Sequence, residues 1–321
     1  MKLLVLGGTK FLGRHAVDAA LAGGHEVTIF TRGQTSPELF PDVEHLHGDR
    51  DGGLDVLRGG AWEGVVDTSG YVPRVVRQSA ELLRERVERY VFVSSISVYA
   101  DFSGTITEAT QVAELEDPAT EKVEEHYGAL KAACERVIEE VYGDRSARVR
   151  AGLIVGPYDP TDRFTYWPRR IALGGEVLGP GDPEAPVQFV DARDLAAWLV
   201  RLALNGPGGT FNATGPAQRL TFAELLERAR NAIGSQAAVV WVDEQRVLDA
   251  GVQPWMELPL WLPGNDYAGM ARAEISNALA AGLTFRPVEE TIVDTLAWDR
   301  TVDGNRPTLA HDKEREILAA R

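Results

Sequence analysis

The 321 residues predict a doubly wound parallel α/β sheet followed by a smaller C-terminal α/β domain, and three observations carry that expectation. Six short runs are apolar throughout instead of alternating, which is how strands covered on both faces read. Helical stretches with apolar residues at three- and four-residue spacing lie between them. Past residue 156 the rhythm stops, and the chain turns rich in Pro, Gly and aromatic residues.

In chain order the runs are LLVL (3–6), EVTIF (26–30), VEHLHG (43–48), GVVDTS (64–69), RYVFVSS (89–95) and ARVRAGLIVG (147–156). Helices are expected over residues 14–22, 75–88 and 127–141, and repeated strand-helix-strand units with right-handed crossovers close the sheet. This gives a first domain over 1–156. The stretch QFVDARDLAAWLVRLAL reads as a strand or turn and then a helix, so 186–204 returns to that domain. Residues 157–185 and 205–321 are expected to form the smaller, substrate-binding domain. In TFAEL, Thr221 and Glu224 have the spacing of a capping box. The tail AHDKEREILAAR reads as an amphipathic or solvent-washed helix.

The formal net charge of −15 repels phosphate backbones, and no basic patch offsets it, so no nucleic-acid partner is expected. The single cysteine, Cys134, excludes an intramolecular disulfide and reads as a small buried apolar residue. The apolar run 3–6 is too short for a signal-peptide core, so a cytoplasmic protein with no membrane span is expected. No cluster of His, Cys and carboxylates has metal-ligand spacing.

The first strand runs into GGTKFLG and then a helix, the context in which a glycine pattern becomes a phosphate-binding turn. Gly7 permits the tight turn, Gly13 lets the helix pack close to the sheet, and Gly8 and Thr9 fill the loop. The helix N-terminus offers free N–H groups, from Lys10, Phe11 and Leu12 onward, to a pyrophosphate. Lys10 stands where glycine is usual, and its side chain points out along the groove toward an adenosine ribose. An acid at the end of the second strand would bind the 2′-OH of NAD; here that strand ends IFTRG, with Arg32 and no carboxylate. Lys10 and Arg32 together fit the 2′-phosphate of NADP, with NAD as the alternative.

Two further stretches carry chemistry. In HYGALKAACE, Tyr127 and Lys131 are four apart and so share one helix face. A free tyrosine, with a pKa of about 10, is a poor base at neutral pH, and a neighbouring ammonium favours the phenolate. His126 points off that face. VFVSSISVYA places Ser94, Ser95 and Ser97 at the C-terminal end of the fifth strand, the edge where open α/β sheets bind ligands.

Taken together, GGTKFLG, GDRD (48–51), VFVSSISVY, YGALK, VRAGLIVGP and QFVDARDLA, in that order, resemble the extended short-chain dehydrogenase/reductase family of NAD(P)-dependent epimerases and dehydratases. The resemblance runs from residue 1 to about 194. It implies a Rossmann domain in which Tyr127 is the acid/base, Lys131 binds the nicotinamide ribose and lowers the tyrosine pKa, and Ser95 orients the substrate. It implies that Asp49 and its neighbour Arg50 lie near adenine, that Ser69 and Gly70 line the cofactor, and that Leu153, Ile154 and Val155 touch the nicotinamide amide. Two departures stand out beside Lys10. The fourth strand ends DTSGY, which brings Tyr71 toward the substrate side, and the sixth lacks the aromatic-asparagine pair of many sugar-nucleotide enzymes.

The activity this implies is hydride transfer on a small-molecule alcohol or carbonyl, as net reduction or as epimerisation or dehydration with internal hydride return. Candidate substrate contacts are Tyr71, Arg163, Tyr166, Trp167 and Trp255, since arginines beside aromatics clamp anionic or aromatic ligands. Relatives in the family often pair through the YxxxK helix, which makes a homodimer an expectation. The alternative from another class is a non-catalytic nucleotide- or RNA-binding protein on the same fold, for the family also holds chloroplast RNA-binding proteins.

Overall fold

Leu3 and Val5 face one way and Leu4 and Leu6 the other, so the first strand needs cover on both sides. The computed structural model, which describes residues 1–302 and 308–320, supplies it. The main strands are β1 (Lys2–Leu6), β2 (Glu26–Thr31), β3 (Glu44–His47), β4 (Trp62–Asp67), β5 (Val87–Ser95) and β6 (Ser146–Ala151). Four shorter ones follow, β7 (Ile154–Val155), β8 (Glu176–Pro180), β9 (Pro186–Val187) and β10 (Val190–Asp191), and then β11 (Gly209–Ala213). The central sheet is seven-stranded in the order β11-β6-β5-β4-β1-β2-β3, and every pairing in it is parallel. The topology is the Rossmann-like α/β fold.

Helices α1 (Phe11–Ala22) and, from the returning segment, α5 (Ala192–Asn205) pack together on one face of this sheet. They enclose a core that includes Leu3, Val5, Ile29, Leu195 and Leu199. Helices α2 (Pro73–Leu83) and α3 (Val123–Tyr142) cover the opposite face, over Leu4, Leu6, Val76, Phe92 and Ile138. Each such side chain, fully buried, is worth roughly 1.5–3 kcal/mol. A third core belongs to the smaller domain, where α4 (Tyr166–Ala172) packs on α6 (Phe222–Ile233). Two short ribbons complete that domain: β12 (Leu220–Thr221) pairs with β9 and β13 (Ala238–Val242) with β8. The remaining helices are α7 (Glu244–Asp249), α8 (Ser276–Ala280), α9 (Val288–Asp299) and α10 (His311–Ala319). Thr221 and Glu224 form the expected capping box, at 3.1 and 2.8 Å.

The structure moves several boundaries. The second helix ends at Leu83 instead of 88, because Val87 already pairs with Trp62 in the sheet. The sixth run splits: β6 stops at Ala151, and Ile154–Val155 leaves the sheet to pair with β10. Residues 209–213, expected in the smaller domain, are the seventh strand of the main sheet beside β6. The tail is docked, not washed by solvent. Glu314 of α10 is buried, pairs with Arg170 at 2.6 Å and accepts a hydrogen bond from the Leu178 amide at 2.9 Å.

Candidate functional site

The glycine turn is built as its sequence requires. Gly7 and Gly8 sit at φ 110° and 108°, a region L-residues rarely enter. A Cβ at Gly13 would come within 2.5 Å of the Gly8 backbone nitrogen, so only glycine lets α1 start this close to the turn. No side chain caps α1 and its first turn carries no acid, which leaves its N-terminal amides and positive dipole end for an anion. These features fit a pyrophosphate cradle formed by Gly7, Thr9, Lys10, Phe11, Leu12 and Gly13. Lys10 and Arg32 are both exposed, and neither makes an ion pair among the described residues.

Tyr127 is placed by its neighbours in the chain. His126, exposed, has non-helical φ/ψ of −128° and 29°, so the regular helix starts at Tyr127. At Gly128 a Cβ would lie 2.0 Å from the Ser97 carbonyl oxygen, so glycine allows α3 to lean on the loop after β5. That close approach brings the phenol beside the Ser95 hydroxyl. Ser95 is held in turn, its Oγ accepting from the Ser97 amide at 3.1 Å. Tyr71 stacks at an angle beside Tyr127, with ring centroids 6.4 Å apart.

Lys131 behaves differently from the sequence expectation. Its ammonium is buried and donates to the carbonyls of Gly70 at 2.7 Å and Val93 at 2.6 Å. Burial pulls its pKa down to about 8. Burial beside Tyr71 pushes the Tyr127 phenol above its usual range, against the Ser95 hydroxyl and the positive charge of Arg163. The cation acting on the phenol is therefore Arg163, and Tyr127 is a neutral phenol at pH 7.

Arg50 is a second correction. Its guanidinium turns in under the sheet edge, with both terminal nitrogens 2.6 Å from the Asp67 carboxylate, and it also meets Ser79 at 2.8 Å. Tyr90 donates to the same carboxylate at 2.6 Å. Burial alone would raise the Asp67 pKa, but Arg50 and these hydrogen bonds hold it below the usual carboxylate range. A side chain with its donors consumed this way is not free to bind a cofactor. Asp49 is exposed and accepts from the Asp51 amide at 2.8 Å. Ser69 and Gly70 follow Asp67 and Thr68, at the β4 edge where Lys131 anchors.

On the substrate side the aromatic stretch divides. Trp167 and Tyr166 are buried in the smaller domain's core, Trp167 donating to the Pro259 carbonyl at 2.7 Å and packing edge-on against Phe222. Val155 is also fully buried, while Leu153 opens on the cleft. Arg163 and Trp255 line one cavity of about 70 Å³ together with Ser95. Trp255 and Leu260 of this wall both hold positive φ, 64° and 67°, so backbone strain gathers at the cavity. Gln188, Leu260 and Met270 also line it and were missed in sequence, because they arrive from separate segments with no motif. Gln188 is fixed by a reciprocal pair of hydrogen bonds with the Ala273 backbone, 2.8 and 3.1 Å. Among the described residues no group of three or more His, Cys, Asp or Glu could hold a metal, and no helix is long and apolar enough to cross a membrane.

Comparison with known proteins finds the following likenesses. Residues 73–214, the segment that supplies Ser95, Tyr127 and Lys131, match the model of the NAD dependent epimerase/dehydratase family. Over that stretch the chain is similar to that family. Solved structures share the fold across almost the whole chain. A UDP-glucuronic acid 4-epimerase from Bacillus cereus in complex with NAD is 17% identical with a TM-score of 0.65, covering 94% of this chain and 97% of its own. The UDP-Glc/GlcNAc 4-epimerase of Campylobacter jejuni is 13% identical at a TM-score of 0.68, with 94% and 99% covered. Among curated relatives, the chloroplast stem-loop binding protein of 41 kDa b of Arabidopsis thaliana is 26% identical over 253 residues, 73% of this chain and 63% of the relative's length. The isoflavone reductase homolog IRL of Zea mays is 25% identical over 271 residues, 77% of this chain and 79% of its own.

Proposed function

We propose that this chain is an NADP-preferring oxidoreductase that interconverts a carbonyl and an alcohol on a small molecule. The observation that carries the reading is the meeting of Ser95 and Tyr127 at the ligand-binding edge of the sheet, one helical turn from Lys131. NADPH, when bound, supplies the hydride that reduces the carbonyl carbon. Ser95 holds the substrate oxygen, and Tyr127 gives it the proton, so C=O becomes CH–OH. A phenol kept neutral at pH 7 suits that donor role, and the reverse oxidation, which needs phenolate, gains rate as pH rises. Lys131 fixes the Gly70 and Val93 carbonyls at the sheet edge, where it would help hold the nicotinamide ribose of a bound cofactor. Reduction of a substrate and epimerisation by returning the hydride share this step. A cytoplasmic setting agrees with the buried free Cys134. Pairing two copies through α2 and α3 would bring the exposed ion pair of Arg77 with Glu140 into the interface, at a desolvation cost.

Fluorescence titration with NADPH and NADH tests the reading. NADPH is expected to bind more tightly, with Lys10→Ala and Arg32→Ala each weakening NADPH several-fold and leaving NADH unchanged. Equal affinities would remove the NADP preference, and binding of neither would remove the enzyme. Tyr127→Phe is expected to cut turnover by about 10²–10⁴ while NADPH still binds. The likeness to a stem-loop binding protein favours a second reading, a nucleic-acid binder on this fold. Retention on RNA that falls steeply with added salt would support it.

A further inference from the structure

Several arginines that follow Arg163 in the chain are already neutralised. Arg169 pairs with Asp162 and with Asp299, Arg170 with Glu314, and Arg193 with Asp191 and Asp294. Arg163 makes no ion pair among the described residues. Its Nε donates to the Thr161 hydroxyl at 3.0 Å, and Thr161 donates in turn to the Asp159 carboxylate at 2.6 Å. The relay fixes the direction of the guanidinium without using its terminal nitrogens. Those belong to a side chain that lines the same cavity as Ser95 and Trp255, and its charge is felt at the Tyr127 phenol. A half-buried cation with an aimed fork and no partner is what a carboxylate or phosphate is recognised by.

We infer that the substrate carries an anionic group, carboxylate or phosphate, close to the reacting carbon, and that Arg163 binds it while Trp255, Leu260 and Met270 cover a compact apolar remainder. This rests on the oxidoreductase reading, because the reacting carbon is defined by Ser95 and Tyr127. It also gives Arg163 two effects at once: it selects the substrate, and it sets the field at the proton donor. An anion docked there neutralises the charge that Arg163 presents to Tyr127, which keeps the phenol protonated for donation in the reduction direction.

The test is calorimetric titration of the protein, free and loaded with NADP⁺, which forms no product with a ketone. The probes are benzoylformate and its methyl ester, an anionic ketone and its neutral counterpart. Benzoylformate is expected to bind at least tenfold more tightly than the ester, and Arg163→Gln to abolish the difference, with Arg163→Lys restoring part of it. Phenyl phosphate, titrated in parallel, tells the two anions apart: the tighter of the two names the group. Equal affinity for acid and ester, no binding of any probe to the loaded protein, or an acid preference that survives Arg163→Gln would overturn the inference. Failure of both NADP⁺ and NAD⁺ to bind would instead sink the oxidoreductase reading, so the two failures are distinguishable. Thermal unfolding of each variant, expected to match the parent within a few degrees, shows that a lost preference is not lost folding.

Discussion

The half of this molecule proposed to bind nucleotide, its nucleotide half, and the half proposed to bind substrate, its substrate half, are made in opposite ways. The nucleotide half is assembled from contiguous stretches whose geometry is local. Gly7, Gly8 and Gly13 sit within one turn, and each is required by a backbone conformation or a close approach at that place. The substrate half is assembled from distant parts, with Arg163, Gln188, Trp255 and Met270 converging on Ser95 from four separate segments. Within that half a single run, RFTYW, sends Arg163 to the cavity while Phe164, Tyr166 and Trp167 go into the core. Local geometry can be read from neighbours in sequence; convergence cannot.

The sharpest way to break this contrast is to damage the substrate half and ask whether the nucleotide half notices. Trp167 is fully buried, packs against Tyr166 and Phe222, and holds the Pro259 carbonyl. Trp167→Ala is expected to cost about 3–5 kcal/mol of stability, from lost packing and an orphaned acceptor. At temperatures where the variant is folded, its NADPH affinity should stay within about twofold of the parent. A parallel loss of NADPH binding would show that the two halves form one cooperative device.

The next largest effect lies in the nucleotide half. Asp67→Asn leaves Arg50 as a buried charge without its partner, and removal of one member of such a pair costs roughly 3–5 kcal/mol. The wild-type pair also has a pH signature. Because the folded Asp67 pKa is lowered, the stabilisation is present above the unfolded carboxylate value near pH 4 and is lost as pH falls through the lower folded value. Urea midpoints measured from pH 6 down to pH 3 should fall less in Asp67→Asn than in the parent. Identical slopes would mean that the pair contributes nothing to acid stability.

The legible and illegible parts of the sequence follow the same division. The order of strands and helices through the first domain can be read because the central strands β1, β4 and β5 carry apolar residues on both faces and the helices between them are periodic. The strand at 209–213 escapes notice because GTFNA is short and has Gly and Asn in it, and only its pairing with β6 makes it part of the sheet. Ser95, Tyr127 and Lys131 are brought forward as candidates by their order and spacing. What spacing cannot show is the direction of a side chain once the chain is packed. Arg50 sits in a motif that points toward adenine, yet the buried Asp67 two strands of sheet order away from β2 captures it. Asp67 is itself the available clue, an acid at the end of an otherwise apolar strand that must find a buried partner. Lys131 was expected to act on Tyr127, and two backbone carbonyls hold it instead.

Lys131 therefore offers the smallest effect and the one of opposite sign. An ammonium whose pKa is drawn from an ordinary 10.5 to about 8 by burial is a charge the folded state would rather not hold. Below pH 8 the lysine is charged in both states, and the full penalty is present. Between about pH 8 and 10.5 the unfolded chain binds more protons than the folded one, so stability rises with pH and the penalty disappears. Lys131→Met removes the charge while keeping much of the volume, at the loss of two hydrogen bonds to carbonyls. The balance is expected to be a net stabilisation of roughly 1–2 kcal/mol at pH 7, shrinking toward pH 10, together with loss of turnover and weakened NADPH binding. Chemical denaturation at pH 7 and pH 10 reads both quantities. Destabilisation at both values would mean that the two carbonyl contacts outweigh the buried charge and that Lys131 is a structural pin, whereas stabilisation confined to neutral pH marks a charge kept at the expense of stability for what it does at the site.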